Sequence, residues 1–586
     1  MCKRFWLCLP FVFGLTTCFL NADSEMPSYS FDAPPGPQFD EAEKELQRKR
    51  AREVMFLVRE RFDAGRDSVV LPPGDYRFEN SSRNKRGRIY SIEFRNMKRP
   101  EEKPFRIVAA GVTFWFELPM DQTPTCHFPV GFVDCENLTI EGLTVDRDPK
   151  GCMEGRIAKI DPENNRMEIV ANSGTSILTE FSDHTEQRLL PYNADGTFCA
   201  ALYALQHRAP GRLKYRNIEP SDKPGYYWVN LHEKSELMKV NADPLWYETY
   251  GEAGTLQVGD GLSLIYTTTW VFTLERCTGL KFIGVNNYIA KGCVHAAYGG
   301  GGHLWKDYYS GPRPGTNQWT GGDGIMAGRS PKGSVFDGVT MRHTTDDPFN
   351  IHAYWGIVEQ VEGRNIVQKN DKMPVEIGDK LNFYDKTTGK SLGTARVEAI
   401  DGRKLRLDGD ACVFNGAVID NPRCQEQNTV IRNCRITDSY QRILIQGAHG
   451  AVIRDNRFER LGSGLELHSN WFAENEGGFC RNIVVEDNFF IDVANAPDAA
   501  TIRVGFDPLD KRSKTRSVEN IMIRNNTFVN SGKHAILFSK VRRGEISGNR
   551  FVDVGRAHGL LGNSTSKEKS QAIRLDRCVE IEIDNE

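Results

Sequence analysis

The sequence predicts an all-β chain wound as a right-handed parallel β-helix, and three features predict it. A short motif returns through the last third of the chain, with closest steps of 22 and 23 residues. Fifty-four glycines and many asparagines sit among short β-rich runs, as a chain that turns often requires. Apolar pairs such as Ile325/Ala327, Phe349/Ile351, Ile443/Ile445, Leu465/Leu467 and Ile502/Val504 alternate with polar or small neighbours, the period of a half-buried strand.

The repeat is plainest from Val430-Ile431-Arg432-Asn433-Cys434 onward. It returns as Val452-Ile453-Arg454-Asp455-Asn456, Val484-Val485-Glu486-Asp487-Asn488, Met522-Ile523-Arg524-Asn525-Asn526 and Glu545-Ile546-Ser547-Gly548-Asn549. Short strands with an Asn at a bend, at this period, indicate a solenoid of parallel coils. Weaker copies lie at Leu138 to Val145, Leu280 to Asn287 and Val335 to Met341.

From the N-terminus, Lys3 and Arg4 precede an apolar stretch from Phe5 to Leu20, and charge returns at Asp23. That is the layout of a signal peptide over residues 1–22, so a secreted or periplasmic location is expected. The stretch is short for a membrane span, and no later segment is apolar enough for one. Residues 23–150 hold a Pro-rich linker (Ala33-Pro34-Pro35-Gly36-Pro37), a helix from Phe39 to Ala64 and the first coils. Ala51, Val54, Met55, Val58 and Phe62 fall on one helix face, which suits a cap over the open end of the solenoid.

Two stretches break the rhythm. Residues 151–265 and 357–420 read as β-rich insertions, too long for bare loops, and are expected to pack together as a small barrel. Between them, residues 266–356 carry coils, and residues 421–586 form the C-terminal coils. An exposed flank of such a solenoid could support a homodimer.

Composition removes several classes. Lys and Arg number 75 against 78 Asp and Glu, the net charge is −3, and no basic stripe stands out, so no nucleic-acid partner is expected. Of fourteen cysteines, Cys2, Cys8 and Cys18 lie in the leader, which leaves eleven. None shows CxxC or Cys/His spacing, so neither zinc, nor another metal or cofactor, nor a dense disulfide framework is expected. Cys135, Cys277 and Cys434 sit inside strand-like repeats, where a small buried residue is ordinary.

The residues that carry chemistry are three aspartates. Asp323, in Gly321-Gly322-Asp323-Gly324-Ile325, is followed 23 and 24 residues later by Asp346 and Asp347, in Thr345-Asp346-Asp347-Pro348-Phe349. That separation is one coil, and both Asp323 and Asp347 stand two residues before the first inward apolar residue of their strands. Stacked strands lie ~4.8 Å apart, so the carboxylates should meet at the bend before the strand. Buried turn-capping aspartates would show the same pattern. Convergence instead predicts hydrolysis of a glycosidic bond, with one protonated acid and one or two bases holding a water.

The same register sets Asn350, Glu466 and Arg503 in one outward column and His352, Gln446 and His468 in the next, all suited to sugar hydroxyls. Trp305, Trp319, Tyr354 and Trp355 would offer apolar faces to a pyranose ring.

On the Asp323/Asp346-Asp347 spacing, the solenoid and its β-rich insertions, the chain resembles glycoside hydrolase family 110, exo-acting enzymes that remove terminal α-1,3-linked galactose with inversion. Glycoside hydrolase family 28, the polygalacturonases, has a similar three-aspartate plan, but here the run is Thr345-Asp346-Asp347-Pro348 where Gly-Asp-Asp is usual there. The resemblance implies Asp346 as general acid, its proton held by two negative neighbours, with Asp323 and Asp347 activating water; the two roles could be exchanged. The expected partner is a glycan ending in galactose. Two rivals remain: a hydrolase or lyase of an anionic polysaccharide, kept open by Arg342, Arg442 and Arg503, and a non-catalytic glycan-binding β-helix.

Overall fold

The computed structural model describes residues 39–584 apart from 80–88, 118–126, 149–151, 173–187, 198–214, 232–255, 266–269, 290–293, 299, 315, 317–321, 329, 371–372, 410–412, 471–475, 495–499 and 555–571. The expected signal peptide, the Pro-rich linker, Trp319 and Gly321 therefore lie outside the described residues. Three parallel sheets run the length of the chain, one of 14 strands and two of 11, and each coil contributes one strand to each in turn. This is a parallel β-helix. Sheet I denotes the 14-stranded one, sheet II contains Arg435–Ser439 and sheet III contains Ile443–Gln446.

The 22-residue step of the sequence becomes the pairing register. Val430 pairs with Val452 in sheet I, Arg435 with Arg457 in sheet II, and Ile443 with Leu465 in sheet III. The central residue of each sheet I strand points inward: Ile431, Ile453, Val485, Ile523 and Ile546 are at most 1 % exposed. The asparagines of the repeat also point inward, stacked as a ladder. Asn456 donates to Asn488 Oδ1 (2.9 Å), Asn488 to Asn526 Oδ1 (2.9 Å) and Asn526 to Asn549 Oδ1 (3.0 Å). The residue before each of the first three, Asp455, Asp487 or Asn525, takes φ of +57°, a left-handed turn that Asp and Asn tolerate. The bend and its hydrogen-bonding amide thus come from adjacent positions.

The helix runs from Glu41 to Asp63, opened by a capping box in which Glu43 N–H donates to Asp40 and Asp40 N–H to Glu43. It buries Gln47, Ala51, Val54, Val58 and Phe62, while Met55 packs less deeply, and Phe62 meets Phe105 edge-on at 5.3 Å. The first coil's apolar interior is closed this way.

The two insertions do not share a barrel. Gly356–Glu362, Asn365–Gln368, Lys404–Leu407, Ser391–Asp401, Lys380–Tyr384 and Val418–Asp420 close into a barrel by themselves, around Val358, Ile366, Leu381, Phe383, Leu405 and Ile419. The earlier insertion forms a separate six-stranded sheet around Met153, Ile157, Met167, Ile169, Val229 and Leu262. Each has enough alternating apolar residues for its own core, which removes any need to merge. Tyr440, at the corner between the sheet II and sheet III strands, donates to Pro191 O of the earlier sheet (2.8 Å) and ties that insertion to the solenoid. Among the described residues, no helix is long and apolar enough to cross a membrane.

Candidate active site

Strands Ile325–Gly328 and Phe349–His352 pair in parallel, Ile325 with Phe349 and Gly328 with His352. Just before them, Gly324 N–H donates to Asp347 O (2.9 Å) and Ile325 N–H to Pro348 O (2.8 Å), so the register continues into the bend. Asp323 and Asp347 are thereby side by side. A side chain at Gly324 would collide with Met341 and with Pro348 O, which is why the bend carries glycine there. His343, at φ +58°, begins the second bend; the Thr344 and Ser439 hydroxyls share a 2.5 Å hydrogen bond, and Ser439 also donates to Asp346 O (3.4 Å).

These restraints bring oxygens of Asp323, Asp346 and Asp347 within 4.8 Å of one another. The Asp347 N–H donates to both Asp323 Oδ1 and Asp346 Oδ1, each at 3.2 Å. Asp347 is buried, while Asp323 and Asp346 are half-buried. Burial, ahead of all else, pushes the Asp347 carboxyl well above the usual carboxylate range; Arg442 opposes this, and Asp346, Asp323 and Glu466 add to it. Asp347, the deeper member of the adjacent pair, loses the more water, and its carboxyl is raised accordingly. Three carboxylate oxygens this close also suit a divalent cation.

Down sheet III, Arg442 Nε lies 3.7 Å from Asp347 Oδ1 and its Nη1 3.4 Å from Glu466 Oε2. Glu466 pairs with Arg503, whose Nη2 is 3.1 Å from Asp507 Oδ2. His468 Nε2 lies 3.3 Å from the same oxygen, and the buried Lys540 Nζ is 3.4 Å from Asp507 Oδ1. His468 first, then Arg503 and Lys540, hold the Asp507 carboxyl well below its usual range, while burial lowers His468. Asn350, His352, Gln446 and His468 occupy outward columns yet are at most 6 % exposed, closed over on this face. His352 Nδ1 donates to Asn350 Oδ1 (2.7 Å), and Gln446 to His468 O (2.8 Å).

Two expected sugar platforms are core residues instead. Trp305 is 0 % exposed, stacked between Phe282 (5.6 Å) and Phe336 (5.1 Å) as the inward residue of its sheet I strand. Trp355 is 2 % exposed and meets Phe479 edge-on at 5.1 Å, over Gly477, whose φ of +152° and missing side chain leave it room. Tyr354 is the half-buried aromatic that remains beside the site, against His352 at 4.8 Å. Sequence reasoning missed Asp507, and Glu476, whose Oε1 lies 3.7 Å from His352 Nε2; it noticed Arg442 without placing it. Register could have found Arg442, because it stands one residue before the strand that follows Phe349–His352 in sheet III.

Fold and site together define a parallel β-helix with a cluster of three carboxylates at one bend. No protein-family profile matches the chain, and no curated protein matches its sequence. Solved structures resemble it over most of its length. The A-module of mannuronan C-5 epimerase AlgE6 from Azotobacter vinelandii is 8 % identical, with 89 % of this chain and 92 % of that one covered and a TM-score of 0.31. An exopolygalacturonase from Thermotoga maritima is 12 % identical, with 86 % and 84 % covered and a TM-score of 0.31. The tailspike protein of E. coli bacteriophage HK620 is 9 % identical, with 94 % and 64 % covered and a TM-score of 0.37. Likeness this distant is silent on activity, which is read from the side chains alone.

Proposed function

We propose that the protein is an inverting glycoside hydrolase that removes terminal α-linked galactose, α-1,3-linked by its resemblance in spacing, from glycans. The observation that carries the proposal is the meeting of Asp323, Asp346 and Asp347 within 4.8 Å, with one of them buried and its carboxyl pushed above the usual carboxylate range. Hydrolysis needs a proton for the leaving oxygen and a base for water, and this trio carries both in one place. Asp346, the more accessible of the adjacent pair, is the acid; Asp323 and Asp347 hold the water.

Without substrate, burial favours a shared proton on Asp347. A sugar seated over the bend desolvates Asp346, which then takes that proton, while Arg442 stabilises the Asp347 carboxylate left behind. The water gives its proton to the Asp323/Asp347 pair as its oxygen attacks the anomeric carbon, and Asp346 protonates the departing oxygen. Arg442 and Arg503 each face a carboxylate of the protein, which supports a neutral sugar over a uronate.

A second reading has its own observation. Inverting pairs usually stand ~6.5–9.5 Å apart and retaining pairs ~5–5.5 Å, so the short spacing here also suits a covalent nucleophile. Proton NMR of the first sugar released decides: β-galactose from an α-galactoside supports inversion, and α-galactose overturns it. Assays of p-nitrophenyl α-galactoside and an α-1,3-galactobioside beside polygalacturonate test the substrate. Turnover of polygalacturonate alone, or a new unsaturated uronide absorbance, would replace the galactosidase with an anionic-polysaccharide enzyme.

A further inference from the structure

Arg442 occupies the same bend as the aspartates, one coil on. Asn350 pairs with Leu444, so Arg442 aligns with Pro348, which in turn aligns with Gly324; in the next coil the aligned residue is Gly464. Of these four residues only Arg442 has a side chain long enough to reach its neighbours. Its guanidinium spans the coil before and the coil after, toward Asp347 at 3.7 Å and Glu466 at 3.4 Å. The first distance is an electrostatic contact, too long for a hydrogen bond. About one third of the side chain is exposed, and both carboxylates it faces are largely buried. A buried carboxylate needs a counter-charge to stay ionised and in place.

We infer that Arg442 is a positioning residue, holding Asp347 and Glu466 in register across three coils so that Asp347 can serve as a base. This rests on the proposed hydrolase reading. The contact at Asp347 is with the residue that holds water, so Arg442 should act on turnover rather than on sugar affinity. Arginine is needed for span, and lysine, with one charge centre, should restore the tie to Asp347 better than the tie to Glu466.

The test is a double-variant cycle of Arg442→Met and Asp347→Asn, with Arg442→Lys alongside. Arg442→Met should lower kcat about 10–100-fold, the scale of a displaced catalytic group, with KM changed less than about threefold. Arg442→Lys should regain most of the loss, and Arg442→Met should cost less than about twofold more in the Asp347→Asn background. A rise in KM at unchanged kcat, or losses that multiply in full in the double variant, overturns the inference. Urea unfolding of the same four proteins reads the tie without substrate: the midpoint shifts should be non-additive, and additive shifts overturn it. If the wild type hydrolyses no glycoside while the shifts are non-additive, the hydrolase reading fails and the Arg442–Asp347 tie stands.

Discussion

The backbone N–H of Asp347 donates to the Asp323 carboxylate across 3.2 Å, so the chain of one coil holds the side chain of the coil before. The same N–H reaches Asp346, which makes one amide the hub of the trio. Roles within it separate by leaving group. Asp346→Asn should lose about 10³-fold or more on a disaccharide but tenfold or less on α-galactosyl fluoride, which needs no proton. Asp323→Asn and Asp347→Asn should lose about 10³-fold on both. A spared Asp347→Asn and a crippled Asp346→Asn on the fluoride would exchange acid and base.

Burial of Asp347 has a consequence for stability. Its folded carboxyl is raised, so the neutral form is favoured in the fold. That contribution is complete below the ordinary carboxylate range and is lost as pH rises through the folded value. Asp347→Asn cannot ionise and should be the more stable protein at neutral pH, by on the order of 1 kcal/mol, with the gap closing in acid. Urea midpoints across a pH series measure it, and a gap that ignores pH would remove the buried charge as its cause.

Period and parity made the trio legible. A 24-residue spacing and two strands starting two residues later suffice to stack Asp323 on Asp347, because coil register follows the inward apolar residues. Parity also marked Trp305 as core: Lys281-Phe282-Ile283, Leu304-Trp305-Lys306 and Val335-Phe336-Asp337 each carry an aromatic at the central, inward position. Its aromatic character drew attention away from that. Trp355 was not legible, since it packs on Phe479 from a distant stretch of chain. Nor was the raised Asp347 carboxyl, which depends on water lost in three dimensions rather than on neighbours in sequence.

The trio's spacing also suits a cation, and removing divalent ions tells the two uses apart. Exhaustive dialysis against a chelator should leave turnover of the α-galactoside unchanged, because the proposed chemistry needs only protons and water. Activity lost on dialysis and restored by calcium or magnesium would turn Asp323, Asp346 and Asp347 into ligands.

Asn488 should matter more to stability than its size suggests. It donates to Ile453 O, Glu486 O and Asn526 Oδ1, and accepts from the backbone and side chain of Asn456, all buried but the partly buried bond to Glu486 O. Asn488→Ala leaves these partners unsatisfied and should cost about 2–4 kcal/mol. Urea unfolding would show it as a shifted midpoint, with turnover at low denaturant unaffected because the ladder lies inside the solenoid. A shift smaller than that of a typical surface variant would mean the ladder repairs itself.

Glu426 is a buried acid outside the site. It is 1 % exposed, and burial pushes its carboxyl up to about 8, against a 3.2 Å hydrogen bond from the Thr429 hydroxyl that favours the ionised form. An acid raised in the fold binds its proton more tightly there than in the unfolded chain, so its contribution is full below the unfolded value. It then declines as pH rises and is gone above about 8. Wild-type stability should therefore fall by up to a few kcal/mol between about pH 5 and pH 8 on this account. Glu426→Gln keeps the shape and an amide that can still accept from Thr429, yet has no proton to lose. Its unfolding midpoint should fall less across that window than that of the wild type. Parallel slopes for the two proteins would assign the decline to other groups.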